Sequence, residues 1–192
     1  MGIFSQKETK EFNDLKSFFE KISELLNTDK YISKKDFLVF ADSSNESYES
    51  LTLMYDKNVL SVWCKQNRID IKTIKKYLDA YKSIELKVKE HNDLYVKDHL
   101  KTDKDYLDKI LIKDDPHILL DEEQRRVVLS DEDYTLVIAG AGAGKTTTIE
   151  AKVKYLIDKQ NISPDRVLIV SFTKKATEEL KERFGKLEIP VN

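Results

Sequence analysis

The chain has 192 residues, enough for one large domain or two small ones with a real core. Charged side chains make up 35% of it, yet the net charge is only −2, which excludes a global basic field and leaves any nucleic-acid binding to a local groove. A single cysteine, Cys64, excludes an internal disulfide, and no apolar run approaches a membrane span or a secretion signal, so a cytoplasmic protein with no membrane partner is expected.

In chain order, the first predicted element is an amphipathic helix from Lys7 to Asn27, with apolar residues at Phe12, Leu15, Phe19, Ile22 and Leu26. Ser33 followed by Asp36 has the form of a helix start, and helical spacing continues through Phe37, Phe40, Ser44, Tyr48, Leu51 and Tyr55. Ile74, Tyr77, Tyr81, Ile84, Val88, His91 and Tyr95 then repeat at alternating intervals of three and four. This is a heptad seam with no proline to interrupt it. It predicts a helix from about Asp70 to Leu100, roughly 45 Å long, folded back on the preceding helix as an antiparallel coiled-coil hairpin. His91 on the seam reads as a structural histidine, because no second metal ligand stands at a useful spacing. The lysines between Lys65 and Lys89 read as a solvated flank. Trp63 and Cys64 read as core, and Thr102 as the cap of a shorter helix. Asp115-Pro116 marks a boundary, since a residue before proline is steered out of helix.

The most informative stretch is Tyr134 to Ile149, YTLVIAGAGAGKTTTI. Three of the chain's five glycines, Gly140, Gly142 and Gly144, fall within five residues here. Leu136, Val137 and Ile138 have the form of a buried parallel strand, and Lys145 opens a helical spacing. Strand, glycine loop, Gly-Lys-Thr and helix together make a phosphate-binding loop. Its physics needs small residues from Ala139 through Gly140, Ala141, Gly142 and Ala143 to Gly144, so that backbone N–H groups curl around an anion. The helix that follows adds its unpaired first-turn donors and the positive end of its dipole. Lys145 is expected to reach the β- and γ-phosphates of ATP, with the Thr146 hydroxyl on Mg²⁺ and Thr147 beside it. Ala139 stands where the strict pattern has glycine. Upstream, Gln124 offers a donor and an acceptor side by side, the arrangement that matches an adenine edge.

Taken together these segments resemble the start of a UvrD/Rep-type superfamily 1 DNA helicase. Leu120 to Arg125 resembles that family's Q motif, Ala139 to Thr147 its motif I, and Val167 to Phe184, VLIVSFTKKATEELKERF, its motif Ia. The helical stretch ahead of the Q motif is similar to the extension of the helicase IV branch. The resemblance implies that Gln124 contacts adenine and that Gly142, Gly144, Lys145 and Thr146 hold triphosphate and magnesium. It also implies that Phe172, Thr173 and Lys174 touch single-stranded DNA. Thr147 is a departure, since UvrD has arginine there. The Asp-Glu pair of motif II does not follow within the chain, so the resemblance reads as an N-terminal piece of a longer ATP-dependent helicase. By resemblance that helicase moves 3′ to 5′, while the piece alone turns ATP over poorly or not at all. The helical extension would serve a DNA structure or a protein partner.

The expected fold is therefore mixed α and α/β. A helical region over 1–115 with a long coiled-coil hairpin would lead into residues 116–192, the first part of a P-loop (RecA-like) parallel-sheet motor domain. Tyr134–Ala139 and Arg166–Phe172 would be its first strands. Ile149, Val153 and Leu156, then Ala176, Leu180 and Phe184, would pack against that sheet. The competing readings are another kind of P-loop protein, such as a nucleotide sensor, and a coiled-coil interaction module without hydrolysis.

Overall fold

A computed structural model describes residues 6–140 and 142–190. The chain forms two compact units, Met1–Asp93 and Leu94–Asn192. The first contains α1 (Lys7–Leu26), α2 (Lys34–Asp56), α3 (Leu60–Asn67), α4 (Ile71–Lys82) and the first half of α5 (Ile84–Thr102). The start of α2 is fixed as its sequence suggests, with the Ser33 N–H donating to Asp36 Oδ2 at 2.8 Å. Asp70 caps α4 by accepting from the Lys72 N–H at 2.9 Å.

The apolar stripe of α1 feeds two clusters. Leu15 packs with Leu51, Leu60, Trp63, Cys64, Ile74 and Leu78. One turn on, Phe18 and Ile22 pack with Ile32, Phe37, Ala41, Ile84 and Val88. Each fully buried side chain of this size contributes about 1.5–3 kcal/mol, so the two clusters carry most of the unit's driving force. Tyr81 joins them: its ring stacks on Tyr48 at 4.2 Å, and its hydroxyl donates to the Ala41 carbonyl at 2.9 Å. Asn92 is buried and makes two hydrogen bonds to the backbone of one residue. The Ile32 N–H donates to its Oδ1 at 2.9 Å, and its Nδ2 donates to the Ile32 carbonyl at 2.8 Å.

The long helix and its coiled-coil hairpin are not formed. The heptad seam is split into α4 and α5 at Ser83, whose hydroxyl donates back to the Asp79 carbonyl at 2.7 Å. Such back-bonding competes with the backbone ladder and bends or ends helices. The seam then divides between the clusters, Ile74 and Leu78 in one and Ile84 and Val88 in the other. Packing on α1 and α2 replaces the single partner that a coiled coil would need. His91 keeps its structural role, with Nε2–H donating to the Lys30 carbonyl at 2.8 Å.

The second unit holds the end of α5, then α6 (Lys104–Lys109), α7 (Glu122–Leu129), α8 (Lys145–Asp158), a 3-10 turn at Pro164–Arg166, and α9 (Lys174–Lys186). No strand occurs among the described residues, so the α/β parallel sheet expected here is replaced by an all-helical architecture. Residues 135–140 and 167–171 lie outside any helix or strand, and Leu136, Ile138, Leu168 and Val170 stay 84–88% exposed. An apolar run supplies strand propensity, but a strand forms only against a neighbour about 4.8 Å away.

Without a sheet, α8 turns a different face inward. Thr148, Glu150, Ala151, Val153 and Tyr155 are buried, whereas Ile149 is 46% exposed and Leu156 half-buried. On α9 Phe184 is buried, but Ala176 and Leu180 are only half-buried. Polar ties hold α6 to its neighbours: Tyr106 donates to Asp158 at 3.0 Å, Lys159 to Asp103 at 2.9 Å, and Arg125 to Asp108 at 2.6 Å. No helix among the described residues is long and apolar enough to cross a membrane.

Candidate functional site

The site is built where the start of α8 meets the start of α7. At α7, Asp121 and Gln124 form a reciprocal cap. The Gln124 N–H donates to Asp121 Oδ1 at 2.8 Å, and the Asp121 N–H donates to Gln124 Oε1 at 3.0 Å. The cap fixes the amide of Gln124 and leaves its Nε2 facing Gly144. A Cβ on Gly144 would stand 2.5 Å from that nitrogen, and Gly144 has φ +73°. The positive φ demands glycine here, and a Cβ would also force the Gln124 amide aside.

Gly142 also lies in the left-handed region, at φ +77°, with open space where a side chain would be. The two left-handed glycines give the loop the curled backbone that suits an anion. Lys145 lies across the loop, its Nζ donating to the carbonyls of Ala139 at 2.9 Å and Gly140 at 2.6 Å. Thr146 is exposed, Thr147 half-buried and Ala143 exposed, while Ala139 is half-buried. Thr148 closes the first turn of α8, with its N–H and hydroxyl both donating to the Gly144 carbonyl. Ala141 lies outside the described residues.

Beside Lys145 opens an apolar cavity of about 230 Å³, lined by Val127, Thr135, Val137, Lys145, Thr148, Ile149, Lys152 and Val153. A second, of about 280 Å³, lies among α8, residues 167–171 and α9, with Val153, Leu168, Leu180 and Phe184 in its walls. Phe172, Thr173 and Lys174 occupy the start of α9. Phe172 is fully exposed and Lys174 exposed, and Thr173 caps the helix by accepting from the Ala176 N–H at 3.2 Å. The structure thus joins Gln124 to the glycine loop and Lys145, and puts the aromatic and polar trio at another helix terminus.

Three polar residues that the apolar pattern did not single out organise this region. Glu150, fully buried on α8, accepts from Arg183 of α9 at 3.3 Å, and its Oε1 has no partner. Burial, then the nearby Asp114 carboxylate, push its pKa up, and Arg183 opposes them. Lys152 turns from α8 to the end of α7, donating to the carbonyls of Val128 and Ser130. Its pKa is pushed down by burial. No sequence signal marks Glu150 or Arg183. Lys152 alone carries one, its spacing of seven from Lys145.

Residues 120–189 match the UvrD/REP helicase N-terminal domain family. Over 65 residues the chain is 52% identical to a probable DNA helicase II homolog of Mycoplasma capricolum, covering 34% of this chain and 9% of that protein. Over 68 residues it is 43% identical to the ATP-dependent DNA helicase PcrA of Staphylococcus aureus, covering 35% and 9%. A probable DNA helicase II homolog of Mycoplasma genitalium is 38% identical over 68 residues, covering 35% and 10%. The chain thus spans about a tenth of the length of these relatives. No solved structure matches it.

Proposed function

We infer that this chain, whose residues 120–189 belong to the UvrD/REP helicase N-terminal domain family, is the N-terminal part of an ATP-dependent DNA helicase. The observation that carries this reading is the contact of Gln124 with Gly144, since it sets an adenine-reading amide directly against the phosphate loop. Gln124 Oε1 has a second lone pair beyond the one that Asp121 occupies, and Nε2 is a donor, so the side chain retains the bidentate pattern that adenine needs and guanine does not match.

In this reading Ala139 to Gly144 wrap the triphosphate with backbone donors. Lys145 leaves the carbonyls of Ala139 and Gly140 to pair with the β- and γ-phosphates. Thr146, with its hydroxyl exposed at the first turn of α8, is the one protein ligand assigned to Mg²⁺. The left-handed glycines and the open helix start suit a bound phosphate chain. A bound Mg²⁺ would supply charge neutralisation to the triphosphate. Thr147 borders the site. Phe172, Thr173 and Lys174 form the single-stranded DNA contact, a ring for stacking on bases flanked by a hydroxyl and a cation.

Hydrolysis, strand translocation and the 3′-to-5′ direction belong to the whole protein and rest on the family resemblance. The helicase IV-like assignment rests on the helical extension alone, which would take a DNA structure or a protein partner. The single cysteine suits a reducing, cytoplasmic location.

The test is binding of a fluorescent ATP analogue with Mg²⁺. Lys145→Ala should abolish it, and Gln124→Ala should erase the preference for ATP over GTP. Equal affinity of wild type and Lys145→Ala would overturn the assignment. It would favour an interaction module with an unused loop.

A further inference from the structure

We propose that Lys152 is a positioning residue for the adenine side of this site, holding the helix that carries Gln124 in register with Gly144. The inference rests on the nucleotide reading above. Helix α7 has eight residues, about 12 Å of axis, with Gln124 in its first turn and Val128 and Leu129 at its end. The last carbonyls of a helix have no partner within it. Here the Lys152 ammonium supplies one, donating to the Val128 carbonyl at 2.9 Å and also to the carbonyl of the C-cap Ser130. A cation at this end also complements the helix dipole.

The geometry couples the two halves of the site through one helix. Lys152 follows Lys145 by seven residues, so two turns of α8 place both on nearly the same side. At its start α8 presents Gly144 to Gln124, and two turns later it grips the far end of α7. The short helix is thereby fixed to α8 at both ends. A tilt of about 10° over 12 Å would move its tip by about 2 Å, which is enough to break a hydrogen bond to a base. Packing alone does not require a lysine: Val128 and Leu129 already bury the apolar face of α7, and a buried ammonium is costly unless its bonds are made. What a lysine adds here is a grip on two carbonyls.

The test measures ATP and GTP affinities of the chain by competition against the fluorescent ATP analogue, for wild type, Lys152→Met and Lys152→Arg. Methionine keeps the stem and loses the donors, whereas arginine keeps donors for both carbonyls. The expected result is a roughly tenfold loss of ATP affinity in Lys152→Met with GTP affinity unchanged, so that the ATP preference collapses, and its recovery in Lys152→Arg. Retention of the ATP preference in Lys152→Met would overturn the proposal. So would an equal loss for both nucleotides, which would make Lys152 merely structural. A wild type with no ATP preference would instead remove the adenine reading itself, and the proposal with it. If Lys152→Met loses its helical circular dichroism, Lys152→Gln, which keeps amide donors on a shorter, uncharged side chain, takes its place and should lie between wild type and complete loss of preference.

Discussion

Arg183 on α9 reaches a carboxylate with no exposed surface, its Nη1 3.3 Å from Glu150 Oε2 on α8. The same guanidinium lies 3.6 Å from Asp114 and 3.0 Å from Glu179, and Lys186 adds a bond to Asp114 at 3.1 Å. Glu150 Oε1 remains unpartnered. Burial is the larger influence on Glu150 and raises its pKa above the ordinary 4.5. The folded state therefore holds a proton on Glu150 more tightly than the unfolded chain does. Stability from this group is complete below 4.5 and is lost as pH rises through the raised value. Urea unfolding of wild type and Glu150→Gln between about pH 4 and 8 checks the sign. The difference should shift in favour of the variant as pH rises; a pH-independent difference would show that folding does not shift the Glu150 pKa, and a shift in favour of wild type would show that the fold holds it charged.

The approach of Gln124 to Gly144 predicts a non-additive pair. Gly144→Ala puts a side chain at φ +73° and against the Gln124 amide, so it should destabilise by about 1–2 kcal/mol for the backbone alone, with the collision added. Gln124→Ala/Gly144→Ala relieves the collision and keeps the backbone strain. In urea unfolding the double variant should lose less than the sum of the single ones; strict additivity would mean that the two residues do not touch in solution.

Asn92→Ala leaves the N–H and carbonyl of Ile32 unpaired in the first unit's core. At about 1–3 kcal/mol for each of the two buried unpaired groups, the loss should reach about 2–6 kcal/mol in chemical unfolding. A change below about 0.5 kcal/mol would show that water replaces the amide.

Phe172→Ala separates binding from stability. The ring is fully exposed, so unfolding should change by no more than about 0.5 kcal/mol. In the complete protein, single-stranded DNA affinity should fall by about 1–3 kcal/mol, the worth of one stacked base, as read by fluorescence anisotropy. Unchanged DNA affinity would remove Phe172 from the DNA contact.

Apolar spacing made much of the helical content legible: the three-four rhythm of Leu15, Ile22 and their neighbours defines α1, and Ser33 with Asp36 marks the start of α2. The glycine loop was legible because a chain with few glycines places three together. The break at Ser83 was not, since the heptad count passes through it and the hydroxyl's bond to Asp79 that accompanies the break leaves no mark in the apolar pattern. Leu136 to Ile138 and Val167 to Val170 suggested strands because their composition is strand-like; pairing is a non-local property that composition does not carry. Glu150, Lys152 and Asn92 escaped for a related reason. Each is a polar residue inside a packed face, and a pattern built from apolar residues treats it as surface.

The two unpaired stretches have a practical consequence for anyone handling the chain. Leu136, Ile138, Leu168 and Val170 present greasy side chains on backbone that no ladder occupies, the combination on which foreign chains template. Shelf life in a concentrated stock should be set by these ten or so residues rather than by melting of the helices. Dilution or a charged solubilising tag will then preserve the material better than cooling does.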